Sequence, residues 1–161
     1  MTEQPAPGTA TTTTPSTAAT AAVTPFLMFE GEGGPAMDFY VQAFAPFLPA
    51  TVTRRDLRDE SHPETKDSPD LVGTVLHGEI SLAGQRLRIF DSPPGHEFSF
   101  TPSISLFVDL PASVSPQELD ELAEALSEGG HPLMPPGDYG FSQRFAWVAD
   151  RWGVTWQLNL A

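Results

Sequence analysis

At 161 residues, 40% of them hydrophobic and 18% charged, the chain has enough apolar material for one core, as a single domain or two halves. Its 8 basic and 21 acidic residues give a net charge of -13, which disfavours nucleic acid and anionic membrane surfaces because both need a basic face. No cysteine is present, which excludes disulfides, thiolate metal sites and thiol nucleophiles, and no apolar run approaches the roughly 20 residues of a membrane span.

Residues 1–24 are almost wholly Thr, Ala, Pro, Ser and Gln, without the period of a helix or a strand. Such a segment cannot bury enough apolar area to offset its ordering entropy, and it reads as a disordered tail. It carries neither the basic nor the hydrophobic stretch of a signal peptide, so a cytoplasmic location is expected.

Phe26 to Phe29 is a short apolar run followed by Gly31, Gly33 and Gly34, the pattern of a strand and a turn. A helix should follow with Pro35 in its first position, where a missing N–H needs no partner. Ala36, Phe39, Tyr40, Ala43, Phe44 and Phe47 recur at helical spacing and give that helix one apolar face. Thr51 to Leu57 reads as a strand, and the polar stretch Asp59 to Asp70, with two prolines, as a solvated loop. Leu71 to Leu82 and Gln85 to Phe90 alternate like a hairpin around Ala83 and Gly84.

The order then recurs. Ile104 to Val108 reads as a strand. Ser115, Pro116 and Glu118 supply a capping serine, a first-position proline and a glutamate three residues after the cap, a helix start. Leu119, Leu122, Ala123 and Leu126 form its apolar stripe, and Gly129 with Gly130 ends it. Phe141 to Ala149 and Val154 to Leu160 form a second hairpin around Trp152 and Gly153. Phe26 lies over Ile104 at an offset of 78, Ala36 over Leu119 at 83, and Gly84 over Gly153 at 69. Loop insertions account for that drift, so two homologous strand-helix-three-strand modules are predicted, about 25–95 and 101–161.

Three stretches of this layout resemble the PhnB-like family of the vicinal-oxygen-chelate superfamily, which includes glyoxalases, bleomycin-type resistance proteins and dioxygenases. They are Phe29 to Tyr40, the segment His77 to Gly84 with Asp91 closing the next strand, and Asp150-Arg151-Trp152-Gly153-Val154-Thr155-Trp156-Gln157-Leu158. The last is the most specific, and together they cover about residues 25–161. The resemblance implies an α+β fold of two βαβββ modules forming a cupped, incomplete barrel with helices outside, and a homodimer. Such chains often carry a methyltransferase label. No glycine-rich strand-to-helix turn followed by an acidic residue, the usual cofactor fingerprint of that chemistry, is visible here.

Strand alternation sorts the side chains between the two sides of each sheet. Val154, Trp156 and Leu158 should pack under the helices with Leu87, Ile89, Leu76, Ile80 and Leu82. The opposite sets should line the cup: Leu27, Phe29, His77, Glu79, Arg88, Phe90, Ser105, Phe107, Arg144 and Gln157, with Val75 sharing the side of Arg144. A mostly apolar wall with a few polar groups suits a small molecule, and His77, Glu79, Arg88, Phe107, Arg144 and Gln157 are the candidate ligand-binding residues. The same residues could instead merely fill a narrow barrel.

His77 and Glu79 share one strand face at a spacing that serves a metal, a proton relay or a plain histidine–carboxylate pair. His62, His96 and His131 lie in proline-containing stretches expected at the surface. Aligned from Phe39 and Tyr40, the family's metal-ligand positions fall near Pro25 and Arg88, and the internal offsets carry them to Ser103 and Gln157. Proline offers no side-chain donor, serine and glutamine are poor ligands, and a guanidinium has no lone pair to give. No metal or other cofactor is therefore expected. Arg88 and Arg144 could instead grip a carboxylate or phosphate. Three functions remain open: a PhnB-like protein holding a small organic ligand, anions included; a metal-dependent lyase, isomerase or dioxygenase; and a non-catalytic sequestering protein.

Overall fold

The structure, a computed structural model, describes residues 21–161, so the predicted tail at 1–24 lies almost entirely outside the described residues. Two four-stranded sheets carry the fold. The first holds β1 (Phe26–Phe29), β2 (Ala50–Leu57), β3 (Val75–Leu82) and β4 (Gln85–Asp91) in the order β1-β4-β3-β2. The second holds β5 (Leu106–Asp109), β6 (His131–Gly137), β7 (Arg144–Ala149) and β8 (Thr155–Leu160) in the order β5-β8-β7-β6. In each sheet the outer first strand runs parallel to the last and the other pairs are antiparallel. The helices α1 (Gly33–Phe44) and α3 (Pro116–Ser127) follow the first strand of their modules. The predicted βαβββ repeat is present twice, and neither sheet closes into a barrel.

One apolar core runs through both modules. Leu87, Ile89, Ile80, Leu82, Val154, Trp156 and Leu158 are buried against the helices, as alternation requires. Trp156 stands against Tyr40 and Phe44 of α1, with ring centroids 4.9 and 5.0 Å apart, so the second sheet is sealed partly by the first module's helix. The Asp150 carboxylate organises this junction. It accepts the Tyr40 hydroxyl at 2.7 Å and the Trp156 indole N–H at 3.0 Å on one oxygen, and the backbone N–H groups of Trp152 and Val154 on the other. The closing signature of the sequence is thus a structural latch between modules.

The two helices start differently. Helix α3 has its predicted capping box, with Ser115 and Glu118 bonded reciprocally and Pro116 in the first position. Helix α1 begins at Gly33, two residues before Pro35, and no side chain of its own caps it. Asp91, at the end of β4, accepts the N–H groups of Gly31 and Gly33 at 3.0 and 2.8 Å. Glycine is required at 33 because a Cβ there would meet Asp91 and Ile89 at 2.9 Å. Gly78 on β3 is equally constrained, since a Cβ would lie 2.7 Å from the Met37 sulfur.

Three expectations need correction. The stretch 59–70 is not a plain solvated loop. It holds a short helix α2 (Pro63–Asp67) and enters a 3-10 turn (Pro69–Leu71), with Thr65 and Leu71 buried. Its organiser is Arg58, 2% exposed, which bonds Glu64, Thr74 and the Val75 carbonyl and lies over the Phe90 ring. Strand β6 went unread because His131-Pro132-Leu133-Met134-Pro135-Pro136-Gly137 looks like a loop. It is an outer strand, where prolines are tolerated because the missing N–H would face no partner. Finally, Leu76 sits at a register irregularity between β2 and β3, so Val75 is buried on the helix side and Leu76 turns to the open side, the reverse of strict alternation.

Candidate functional site

Each sheet has one side against the helices and one open side, and the open side of the first module is where polar chemistry collects. On β3 and β4, Ile80, Leu87 and Ile89 are buried, which leaves His77, Glu79, Arg86, Arg88 and Phe90 pointing the other way. On β2 a register shift at Thr53 brings Arg54 opposite Glu79. Arg55 then turns toward α1, where it pairs with Asp38. A cavity of about 470 Å³ results, walled by Phe26, Leu76 and Phe90 and rimmed by Arg54, His77, Glu79 and Arg88.

Five of the eight basic residues of this acidic chain, Arg54, Arg55, Arg58, Arg86 and Arg88, lie on or directly after β2 and β4. Arg88 and Arg86 approach Glu79 only loosely, at 3.7 and 3.8 Å, and neither donates a side-chain hydrogen bond to another described residue. Their N–H groups are free for a ligand. Arg54 is held by Asp56 at 2.5 Å, and the same carboxylate lies 3.9 Å from His77. The three guanidiniums Arg54, Arg86 and Arg88 face the two carboxylates Glu79 and Asp56, so the patch is a positive island on a chain of net charge -13.

The second open side is different. Phe107, Phe145, Trp147 and Gln157 stand there, with Gln157 paired to Phe107 on one flank and Trp147 on the other. Phe141 packs edge-on against Phe145 at 5.0 Å, and Phe107, Tyr139 and Phe141 remain exposed.

Of the six candidate residues, the structure brings His77, Glu79 and Arg88 together around one cavity. Phe107 and Gln157 share the open side of the other sheet, and neither lines the cavity that holds the first three. Arg144 is misplaced by the sequence reading: it lies on the helix side of β7 and makes a two-pronged bond to Asp120 of α3, at 2.8 and 2.6 Å. Leu27 and Phe29 are likewise on the helix side, buried in the core, because β1 and β5 correspond at an odd offset rather than at 78. Phe26 and Met28 take the open side instead. Arg86 was missed although it shares the parity of Arg88; Arg54 was hidden by the register shift.

These donors do not suit the divalent ion that many vicinal-oxygen-chelate proteins use. Among the described residues no three His, Asp or Glu side chains gather as a metal cluster. The one carboxylate lining the cavity, Glu79, already faces two guanidiniums, and the guanidinium of Arg88 has no lone pair to give a cation.

A family model described as 3-demethylubiquinone-9 3-methyltransferase matches residues 21–159. The chain belongs to this PhnB-like family. A PhnB protein from Bacillus cereus is 38% identical, covering 88% of this chain and all of its own, with a TM-score of 0.74. A protein from Pseudomonas aeruginosa is 25% identical over 88% of this chain and 98% of its own, at 0.69. The fosfomycin resistance protein FosX from Listeria monocytogenes shares the fold at 12% identity, covering 89% of this chain and 95% of its own, with a TM-score of 0.57. No curated protein matches it in sequence. No described helix is long and apolar enough to cross a membrane.

Proposed function

We propose that this PhnB-like protein binds a small organic anion on the open side of its first module, without a metal ion. The observation that supports it is the set of unspent guanidinium donors of Arg88 and Arg86 beside an aromatic wall. An aromatic or aliphatic body rests on Phe26 and Phe90, which lie 6.0 Å apart, while a carboxylate or phosphate takes paired hydrogen bonds from Arg88 and its neighbours. Glu79 sits between Arg86 and Arg88, spreads them by attraction to both, and can accept a donor group of the ligand. Arg54, held by Asp56, closes the rim.

The test compares phenyl phosphate with phenol by calorimetry. Phenyl phosphate should bind and phenol should bind at least about tenfold more weakly, the difference one charge-assisted hydrogen bond makes. Arg88→Gln should remove that preference. Equal affinity for both, or an unchanged preference in Arg88→Gln, would overturn the reading.

We also propose a homodimer in a cytoplasmic setting. The exposed aromatic cluster of Phe107, Tyr139 and Phe141 on the second open side supports self-association, since large apolar residues grouped at a surface mark interfaces. Sedimentation at micromolar concentration giving only monomer would remove it.

A further inference from the structure

A second cavity, of about 440 Å³, lies where the turn after β1 meets the linker between modules, and it is distinct from the arginine-rimmed one. Phe26 is the single residue that lines both. Its walls are aromatic: Phe26, Phe29, Phe98, Phe100 and Trp152. Phe29 packs against Phe100 at 5.1 Å and edge-on against Trp152 at 6.1 Å, so three of these rings form one layer. Its charged groups are Glu30, Glu32 and, if protonated, His96. No arginine or lysine lines it.

Aromatic rings with carboxylates at the rim make a site for a positive charge on a carbon framework. Each ring face offers negative potential, and carboxylates supply the counter-charge without demanding the bare coordination a metal needs. Glu30 is fixed in place: it accepts the backbone N–H groups of Gly95 at 3.3 Å and His96 at 3.0 Å, tying the linker to the turn after β1. Those two bonds hold its carboxyl below the ordinary glutamate range, so it is ionised wherever the protein is folded near neutrality. Glu32 is exposed, and its side chain bonds no other described residue. The same aromatic layer already carries one cation from elsewhere. The Arg151 guanidinium, paired with Glu128, lies 5.5 Å from Trp152 and 5.0 Å from Phe39 and is not among the lining groups.

We propose that this cavity is a binding site for an organic ammonium group, held by Phe98, Phe100 and Trp152 and countered by Glu30 and Glu32. The site shares only Phe26 with the anion site. Its volume of about 440 Å³ admits a quaternary or substituted ammonium, whose methyl groups the rings can face.

The probe is choline against its uncharged isostere, 3,3-dimethylbutan-1-ol, followed by amide and indole chemical shifts of the full chain. Choline should shift residues 28–32, 96–100 and the Trp152 indole, and the alcohol should bind at least about tenfold more weakly. Glu32→Gln, which disturbs no bond in the fold, should lower choline affinity several-fold and leave the alcohol unaffected. Phe98→Ala, at an exposed ring, should lower it as well. Arg88→Gln should leave choline binding unchanged, which separates this site from the anion site. Equal affinity for alcohol and choline, no response to Glu32→Gln, or no shift of these residues at millimolar choline would each overturn the proposal.

Discussion

The two modules repeat one plan and both carry aromatic rings on their open sides, yet only the first adds a cluster of guanidiniums among the described residues. Toward the helices both sheets present chiefly buried apolar side chains, Leu, Ile and Val in the first and Leu, Val and Trp in the second, because a packed core tolerates little else. Away from the helices the first presents Arg54, Arg86, Arg88, His77 and Glu79, and the second presents Phe107, Phe145, Trp147 and Gln157. Packing constrains one side of a sheet and leaves the other free to diverge, and the anion binding proposed above uses that freedom on the first module.

The sharpest break of that contrast would come from the helix side. Trp156, 1% exposed, should cost about 3–5 kcal/mol when changed to alanine, the usual cost of emptying a large core site. An unchanged denaturation midpoint would mean that the sides of β8 are reversed. Asp150→Asn keeps the shape of the latch but replaces one accepting oxygen with a donor. It should cost about 1–3 kcal/mol, because the Tyr40 and Trp156 donors converge on the same oxygen.

Tyr40 sharpens the same point through pH. Burial, and then the neighbouring Asp150, push its phenol well above the ordinary tyrosine range. In the unfolded chain the phenol ionises first, so this contribution to stability is full below pH ~10 and falls by about 1.4 kcal/mol per unit above it. Urea midpoints measured between neutral and alkaline pH should show that loss in the native chain and lack it in Tyr40→Phe. On the open side, Arg88→Gln should change stability by less than about 0.5 kcal/mol while weakening anion binding, the signature of a residue that packs against little. The smallest effect is expected at the N-terminus. Deleting residues 1–22 should leave the melting temperature within a few degrees, since that segment has no apolar set to bury.

The repeat, the capping box of α3 and the helix side of β4 and β8 were legible because each rests on local spacing. What was missed rests on partners far along the chain. The cap of α1 comes from Asp91, some 58 residues from Gly33. The buried role of Arg58 depends on Glu64, Thr74 and Phe90 meeting around it. In the site, Arg88 and Arg86 follow from parity alone, whereas Arg54 and Leu76 are turned to the open side by register shifts that leave no mark in composition. Arg144 shows the limit of a transferred offset. Val75 and Arg144 do share a side, as the offset of 69 implies, but it is the helix side.

The most direct test is a chemical-shift titration of the isotope-labelled full chain with phenyl phosphate. Shifts are expected at Arg54, residues 76–79 and residues 86–90, with Phe107, Phe145, Trp147 and Gln157 unmoved and the response lost in Arg88→Gln. Shifts centred on the second open side, or none on the first, would contradict it.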